Sequence, residues 1–348
     1  MKIAVYTIAK NEASFVERWY ESAKEADSIH ILDTGSEDKT VTIARDLGVD
    51  VARWEFNPWR FDDARNFALT MVPEDTDLCI ALDMDEVLVE GWRDHLEQAI
   101  KDGVTRPRYS YTWSWNVDGT PGLIYGGDKI HARHGYYWKH PVHEVLTPKD
   151  VETQGWYGLE IHHHPDSSKS RSQYFTLLEL AVKEDPEDDR NAHYLAREYF
   201  FGGRMDEAKA EFERHLSLPK ALWRAERARS MRYLYEITQD VDWLFKAYEE
   251  DPMRRETRVD LAFYYYKLED WEKCYEWSTK ATHILERPLD YLTEAFAWGS
   301  TPHDLAAISS YNLGKFVEAE IYGHAALELS PSDARLVDNL KYYRKAAA

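Results

Sequence analysis

The order of apolar runs in the first half of the chain constrains the fold most. Ile3 to Ile8, His30-Ile31-Leu32, the weaker Val49 to Trp54 and Leu78 to Leu82 are short and β-rich. Ser14 to Ala26, Asp38 to Leu47 and Asp62 to Met71 lie between them with helical texture. A β-α-β-α-β-α-β order requires right-handed crossovers between parallel strands, and it places a ligand crevice at the strands' carboxyl ends. Residues 1–167 are therefore expected to form an α/β, Rossmann-like domain with a mostly parallel sheet.

From about residue 168 the β signals vanish. Stretches rich in Ala, Leu, Glu, Arg and Tyr take over, broken by Asp-Pro, Gly-Gly and Leu-Gly pairs, so residues 168–348 are expected to be all-α. Leu195-Ala196, Tyr199, Gly203, Ala208 and Phe212 can be laid over Leu261-Ala262, Tyr265 and Cys274. That offset is about twice the 33 to 34 residues of a helical-hairpin repeat. A third copy starts at Leu313-Gly314-Lys315-Phe316 and runs through Ala319, Ala326-Leu327 and Pro331, whereas Trp243 to Pro252 is a degenerate copy.

Composition removes several function classes. A formal charge of −20 over 348 residues opposes non-specific binding to a polyanion. Two cysteines, Cys79 and Cys274, are too few for a disulfide scaffold or a thiolate zinc site and suit a reducing cytoplasm. No segment reaches the apolar length of a bilayer span, and the N-terminus starts at once with strand residues, so the chain reads as soluble with no secretion signal.

The chemistry concentrates where strands end. Leu78 to Leu82 runs straight into Asp83-Met84-Asp85-Glu86. Hard cations such as Mn²⁺ or Mg²⁺ take oxygen ligands and leave positions for phosphate, so these carboxylates can clamp a metal and a diphosphate. A solvated acidic turn or helix cap accounts for the same residues equally well. The first strand leads through Thr7 to Lys10-Asn11-Glu12, and the second into Asp33-Thr34-Gly35-Ser36, where Asp33 can accept hydrogen bonds from a base or ribose. Arg65, in Phe61-Asp62-Asp63-Ala64-Arg65-Asn66, supplies a cation for a diphosphate.

Taken in order, Lys10-Asn11-Glu12, Asp33-Thr34-Gly35-Ser36 with Asp38 and Thr40, Phe61 with Ala64-Arg65-Asn66, and Asp83-Met84-Asp85-Glu86 resemble glycosyltransferase family 2. The likeness is to its bacterial and phage branch, which joins a GT-A domain to tetratricopeptide-like repeats. It implies a GT-A fold and an inverting single displacement from a nucleoside diphosphate sugar, a UDP-sugar first among the donors. It also implies a divalent metal, Mn²⁺ or Mg²⁺. By motif, Thr7, Asn11, Glu12 and Asp33 fall at the nucleotide, Arg65 near base or phosphate, Asp83 near ribose or metal, and Asp85 on the metal. Trp138-Lys139-His140-Pro141-Val142-His143-Glu144 resembles the branch's aromatic and His-Glu segment, and Leu159 to His164 its following strand. Glu144 is the choice for general base, since inverting transfer needs a group that takes the acceptor hydroxyl's proton. His163 is the choice for the metal by that same resemblance. Strand alternation turns His163 away from His162 and His164, so the triplet cannot serve one ion together.

Residues 126–144 are locally basic and aromatic in an acidic protein. They suit either an acceptor loop, with Trp138 or Tyr137 stacking on a ring and Lys129, Arg133 and Lys139 meeting phosphates, or a β-hairpin with surface cations. The acceptor candidates are a peptide, a glycan or a hydroxymethylated DNA base, and the helical repeats offer a surface for a protein partner. The competing class is a non-catalytic helical-repeat scaffold carrying a degenerate nucleotide-sugar-binding domain.

Overall fold

A computed structural model describes residues 1–116, 118–165 and 173–348. It divides into two compact units, Met1–Asp185 and Pro186–Ala348. The expected boundary between residues 167 and 168 lies outside the described residues.

The first unit runs β1 (Ile3–Ala9), α1 (Val16–Ala23), β2 (Ser28–Asp33), α2 (Thr40–Asp46), β3 (Asp50–Arg53), α3 (Phe61–Met71), β4 (Leu78–Ala81), β5 (Glu86–Leu88), α4 (Trp92–Lys101), β6 (Arg106–Thr112), β7 (Ile124–Gly127), β8 (Ile130–Ala132), β9 (Tyr136–Lys139), β10 (Val145–Pro148), β11 (Gln154–His163) and α5 (Gln173–Glu184). The main sheet has the order β3-β2-β1-β4-β8. Its first four strands are parallel, and β8 closes the edge antiparallel to β4. In this order the chain reverses direction across the sheet between β1 and β4, the switch point where open α/β sheets leave a crevice. The expected α/β order is observed; the first two helices are five and three residues shorter than expected in all, trimmed at both ends, and α3 begins one residue earlier than expected.

Alternation along β1 builds both faces of the core. Ile3 and Val5 pack on one side with Trp19, Ile31 and Ile80, while Ala4 and Tyr6 pack on the other with Ala64, Ala68 and Trp138. The small residues Ala64 and Ala68 let α3 approach the sheet closely, which places Arg65 of the same helix at the strand ends. From the opposite face, the Trp19 indole donates to the Leu82 carbonyl at 3.0 Å and fixes the chain just before Asp83.

A second sheet, β5-β11-β6-β7, is mixed: β11 is antiparallel to β5 and parallel to β6. The segment expected as one loop or hairpin over 126–144 is divided differently. β7 joins the second sheet, β8 the main sheet, and β9 pairs with β10.

The second unit is helical throughout: α6 (Asp189–Phe201), α7 (Met205–Ser217), α8 (Arg224–Thr238), α9 (Asp242–Glu250), α10 (Arg255–Lys267), α11 (Trp271–Thr282), α12 (Ala295–Trp298), α13 (Thr301–Asn312), α14 (Phe316–Leu329) and α15 (Ala334–Ala347). Consecutive helices pack as hairpins, α6 with α7, α8 with α9, α10 with α11 and α13 with α14. The repeat positions Leu195, Ala196, Ala208, Phe212, Leu261, Ala262, Cys274, Ala319 and Ala326 are all buried, as small and apolar hairpin contacts require. Residues 283–294 and the short α12 intervene before α13, which sets Ala319 of the last copy farther from Cys274 than one helical-hairpin repeat. Among the described residues, no helix is long and apolar enough to cross a membrane.

Candidate active site

The carboxyl end of β4 and the last residues of β11 in the second sheet meet at the acidic run. β4 ends at Ala81, and the chain turns through Asp83-Met84-Asp85 into β5, so consecutive acids are presented to different neighbours. Glu86 points inward. It is 1% exposed and accepts hydrogen bonds from Tyr111 Oη at 2.7 Å, Lys129 Nζ at 3.0 Å and its own turn's Asp83 N–H at 2.9 Å. Burial raises its pKa despite the Lys129 charge. Glu86 is thus a strut beneath the turn.

Asp83 sits between two cations. Its Oδ1 receives Arg65 Nη2 at 2.7 Å and its Oδ2 receives Lys129 Nζ at 2.6 Å. Burial would raise its pKa, but the Arg65 and Lys129 charges outweigh that and hold the carboxyl well below the usual range. The Arg65 guanidinium also pairs with Glu144 and lies over the Trp138 ring, its carbon 4.9 Å from the ring centroid. Its Nη1 is buried with no hydrogen-bond partner among the described residues.

Asp85 faces His163. The pair stands at 3.3 Å between Oδ2 and Nε2, and β5–β11 pairing sets His163 opposite Glu86, next to the turn. His163 Nδ1 lies 2.9 Å from the Trp113 carbonyl, which can only accept, so Nδ1 carries the hydrogen and Nε2 is the atom turned to Asp85. The ring stacks on Trp113 at 4.3 Å and 16°. Its pKa is raised, because the Asp85 and Trp113 contacts overcome the burial penalty. A carboxylate oxygen and an imidazole nitrogen about 3 Å apart have the spacing of neighbouring ligands on a divalent ion with bonds near 2.1 Å. The donor set therefore fits a cation.

The other expected residues lie along the same edge. Asp33 ends β2 fully buried, accepting from the Gly35 and Ser36 amides at 3.3 and 3.2 Å, with Arg53 Nε at 3.2 Å. Asn11 has a left-handed backbone, φ 57°, and its Oδ1 accepts the Glu37 amide at 2.8 Å, tying the β1 and β2 loops together. The Glu12 amide donates to Thr40 Oγ1 at 2.7 Å, and Glu12 is largely buried. Thr7 lies within β1, buried, its hydroxyl donating to the Ile8 carbonyl at 3.2 Å. His140 and His143, which precede Glu144, also have positive φ, 86° and 49°.

Several assignments in the basic segment change. Trp138 is 3% exposed, donates to Tyr6 Oη at 2.8 Å and belongs to the core, so it is no stacking platform; Tyr137, on the other face of β9, is exposed. Arg133 caps the Val72 carbonyl and Glu74, Lys139 pairs with Asp185, and Lys129 is the internal cation that clamps Asp83 and Glu86. Trp113 and Tyr111, which orient His163 and Glu86, carried no sequence signal beyond an aromatic strand.

Residues 4–142 match the model of the family described as glycosyl transferase family 2. The chain carries a family 2 glycosyl transferase domain. The match spans Thr7, Asn11, Glu12, Asp33, Arg65, Asp83 and Asp85 and ends before Glu144 and His163, whose placement rests on geometry alone. An uncharacterized glycosyltransferase of Rickettsia bellii is 39% identical over 98 residues, 28% of this chain and 32% of the relative, so the chain spans about a third of that relative's length. Among solved structures, Staphylococcus aureus TarS is similar at 13% identity and a TM-score of 0.42, covering 70% of this chain and 54% of TarS. The tetratricopeptide-repeat protein TTC0263 of Thermus thermophilus is similar at 19% identity and a TM-score of 0.31, covering 51% and 90%.

Proposed function

We propose that the family 2 domain transfers a sugar from a nucleoside diphosphate sugar, a UDP-sugar first, to a hydroxyl acceptor with inversion, in a cytoplasmic setting. The observation that carries this reading is the Asp85–His163 pair, two ligand-type atoms facing each other at the switch-point edge of a family 2 sheet.

In this reading Asp85 and His163 hold Mn²⁺ or Mg²⁺, with Asp83 adjoining. When bound, the ion supplies positive charge for the departing diphosphate. Asp33, with Asn11 and Glu12 bracing its loop, receives the base or ribose. The buried Arg65 Nη1, without a protein partner among the described residues, offers a hydrogen bond to a phosphate oxygen. Glu144 takes the proton of the acceptor hydroxyl as that oxygen bonds to the anomeric carbon and the bond to the diphosphate breaks. The acceptor is a peptide, a glycan or a hydroxymethylated base, and the helical hairpins are a docking surface for a protein partner.

The test is release of nucleoside diphosphate from a panel of nucleotide sugars with Mn²⁺, each offered alone and with each acceptor class. Release with one donor, abolished by EDTA and by Asp85→Ala, is expected. No release from any donor, with Asp85→Ala indistinguishable, would instead favour the scaffold reading.

A further inference from the structure

The helical unit buries a second set of ligand-type atoms, far in sequence from the family 2 domain. His193 of α6, His215 of α7 and Glu226 of α8 are 0%, 0% and 2% exposed. One ligand atom from each lies within 4.8 Å of the others, and His215 Nε2 stands 3.5 Å from Glu226 Oε1. Polar side chains enter the interior of a helical-hairpin stack at a cost, and these three come from three successive helices.

The hydrogen bonds around them orient the set. Ser230, one turn beyond Glu226 on α8, places its hydroxyl oxygen 2.8 Å from His193 Nδ1 and 3.0 Å from His215 Nδ1. A hydroxyl has one hydrogen, so at least one ring must donate from Nδ1, and in its neutral form that ring carries a bare electron pair on Nε2. Both Nε2 atoms are buried without a well-formed hydrogen bond among the described residues; His215 Nε2 has only Glu226 Oε1 at 3.5 Å. An unsatisfied buried nitrogen costs about 1–3 kcal/mol. A bare His193 Nε2 beside a loosely spaced histidine–carboxylate pair is more than packing requires. The outer oxygen of that carboxylate, Glu226 Oε2, accepts from Tyr291 Oη at 2.5 Å. Ligating imidazoles are held through their second nitrogen, and ligating carboxylates through their second oxygen, in this manner.

Charge state agrees with geometry. Burial pushes the His193 imidazole down to about 3, which leaves it neutral near pH 7. Burial would raise Glu226, but His215, His193 and Tyr291 outweigh it and bring the carboxyl down to about 2.

We propose that His193 Nε2, His215 Nε2 and Glu226 Oε1 bind one divalent transition-metal ion, Zn²⁺ by ligand type, which ties α6, α7 and α8 together. Two imidazoles and a carboxylate suit Zn²⁺, whose bonds of about 2.0–2.2 Å put neighbouring ligand atoms about 3.3 Å apart. The 3.5 Å separation already present is close to that value. Ser230 and Tyr291 act as positioning residues.

The test is a Co²⁺ titration of the full chain after chelator treatment, read by visible absorption, with Zn²⁺ as competitor. Four-coordinate Co²⁺ absorbs strongly, whereas a six-coordinate ion on oxygen-rich ligands is faint, so the spectrum separates this site from Asp85. One equivalent with a strong band is expected in the unaltered chain and in Asp85→Ala, bleached by Zn²⁺ and lost in Glu226→Gln and His215→Gln. No strong band in the unaltered chain, its loss in Asp85→Ala, or its persistence in both helical-unit variants would overturn the proposal. Should those variants fail to fold, the unaltered and Asp85→Ala spectra decide on their own.

Discussion

His163 Nε2 and Asp85 Oδ2 face each other across 3.3 Å, with the opposite ring nitrogen of His163 held by the Trp113 carbonyl. Without an ion, a proton on His163 satisfies the pair, and its pKa is raised accordingly. Because the folded value lies above the unfolded one, about 6.5, this stabilisation is complete below pH about 6.5 and is lost as pH rises through the folded value. Metal competes for the same atom, so Mn²⁺ affinity should move the opposite way and strengthen on going from pH 6 to 8. Thermal unfolding of the chelated chain and of His163→Gln across this range, with calorimetric Mn²⁺ titrations, checks both signs.

Arg65 joins Asp83 to Glu144 while its side chain is only 7% exposed. Arg65→Met leaves two carboxylates facing one another without their shared cation, and removing one partner of a buried ion pair costs about 3–5 kcal/mol. Urea unfolding should show a loss of that size, and nucleoside diphosphate binding should weaken at least tenfold. A stability loss below about 1 kcal/mol would mean that the pairing is not formed as described.

Glu144→Gln keeps the shape and a hydrogen bond to Arg65 while removing the proton acceptor. General-base contributions are about 10²–10⁴-fold, so kcat should fall within that range while donor affinity stays within several-fold. If donor binding is lost and the rate per bound donor persists, Glu144 has a structural role.

The sheet's polar edge was legible because its signal is local. Apolar strands running out toward Asn11, Asp33 and Asp83 read directly as a parallel sheet with polar carboxyl ends, and alternation turned His163 inward, away from His162 and His164. The ion-pair lattice was not legible. Arg65 meets Asp83, Lys129 meets Asp83, and Arg65 meets Glu144 over 18, 46 and 79 residues of sequence, and only the fold brings them together. Trp138 shows a related difficulty. An aromatic residue in a basic stretch reads as a stacking platform until strand alternation is fixed by β9 pairing, which sends it into the core and Tyr137 to the surface. The His193, His215 and Glu226 cluster carried no motif spacing, because its members come from three separate helices.

Gly127 provides a test of the second sheet. A Cβ there would stand 2.0 Å from the Tyr109 ring, and Tyr109 is 1% exposed and cannot swing away. Gly127→Ala should destabilise the first unit by about 1–3 kcal/mol, as over-packing of a core does. Because Lys129 follows two residues later, the variant should also weaken nucleotide binding. Equal stability in urea unfolding would contradict the β6–β7 register.

Calorimetric titration of UDP into the chain with Mn²⁺ and with EDTA tests the donor site most directly, using Asp85→Asn and His163→Ala as controls. Mn²⁺ should tighten binding at least tenfold in the unaltered chain, and each substitution should remove most of that gain. Equal affinity with Mn²⁺ and EDTA, or a full Mn²⁺ effect in both variants, would contradict a metal-held diphosphate at Asp85 and His163.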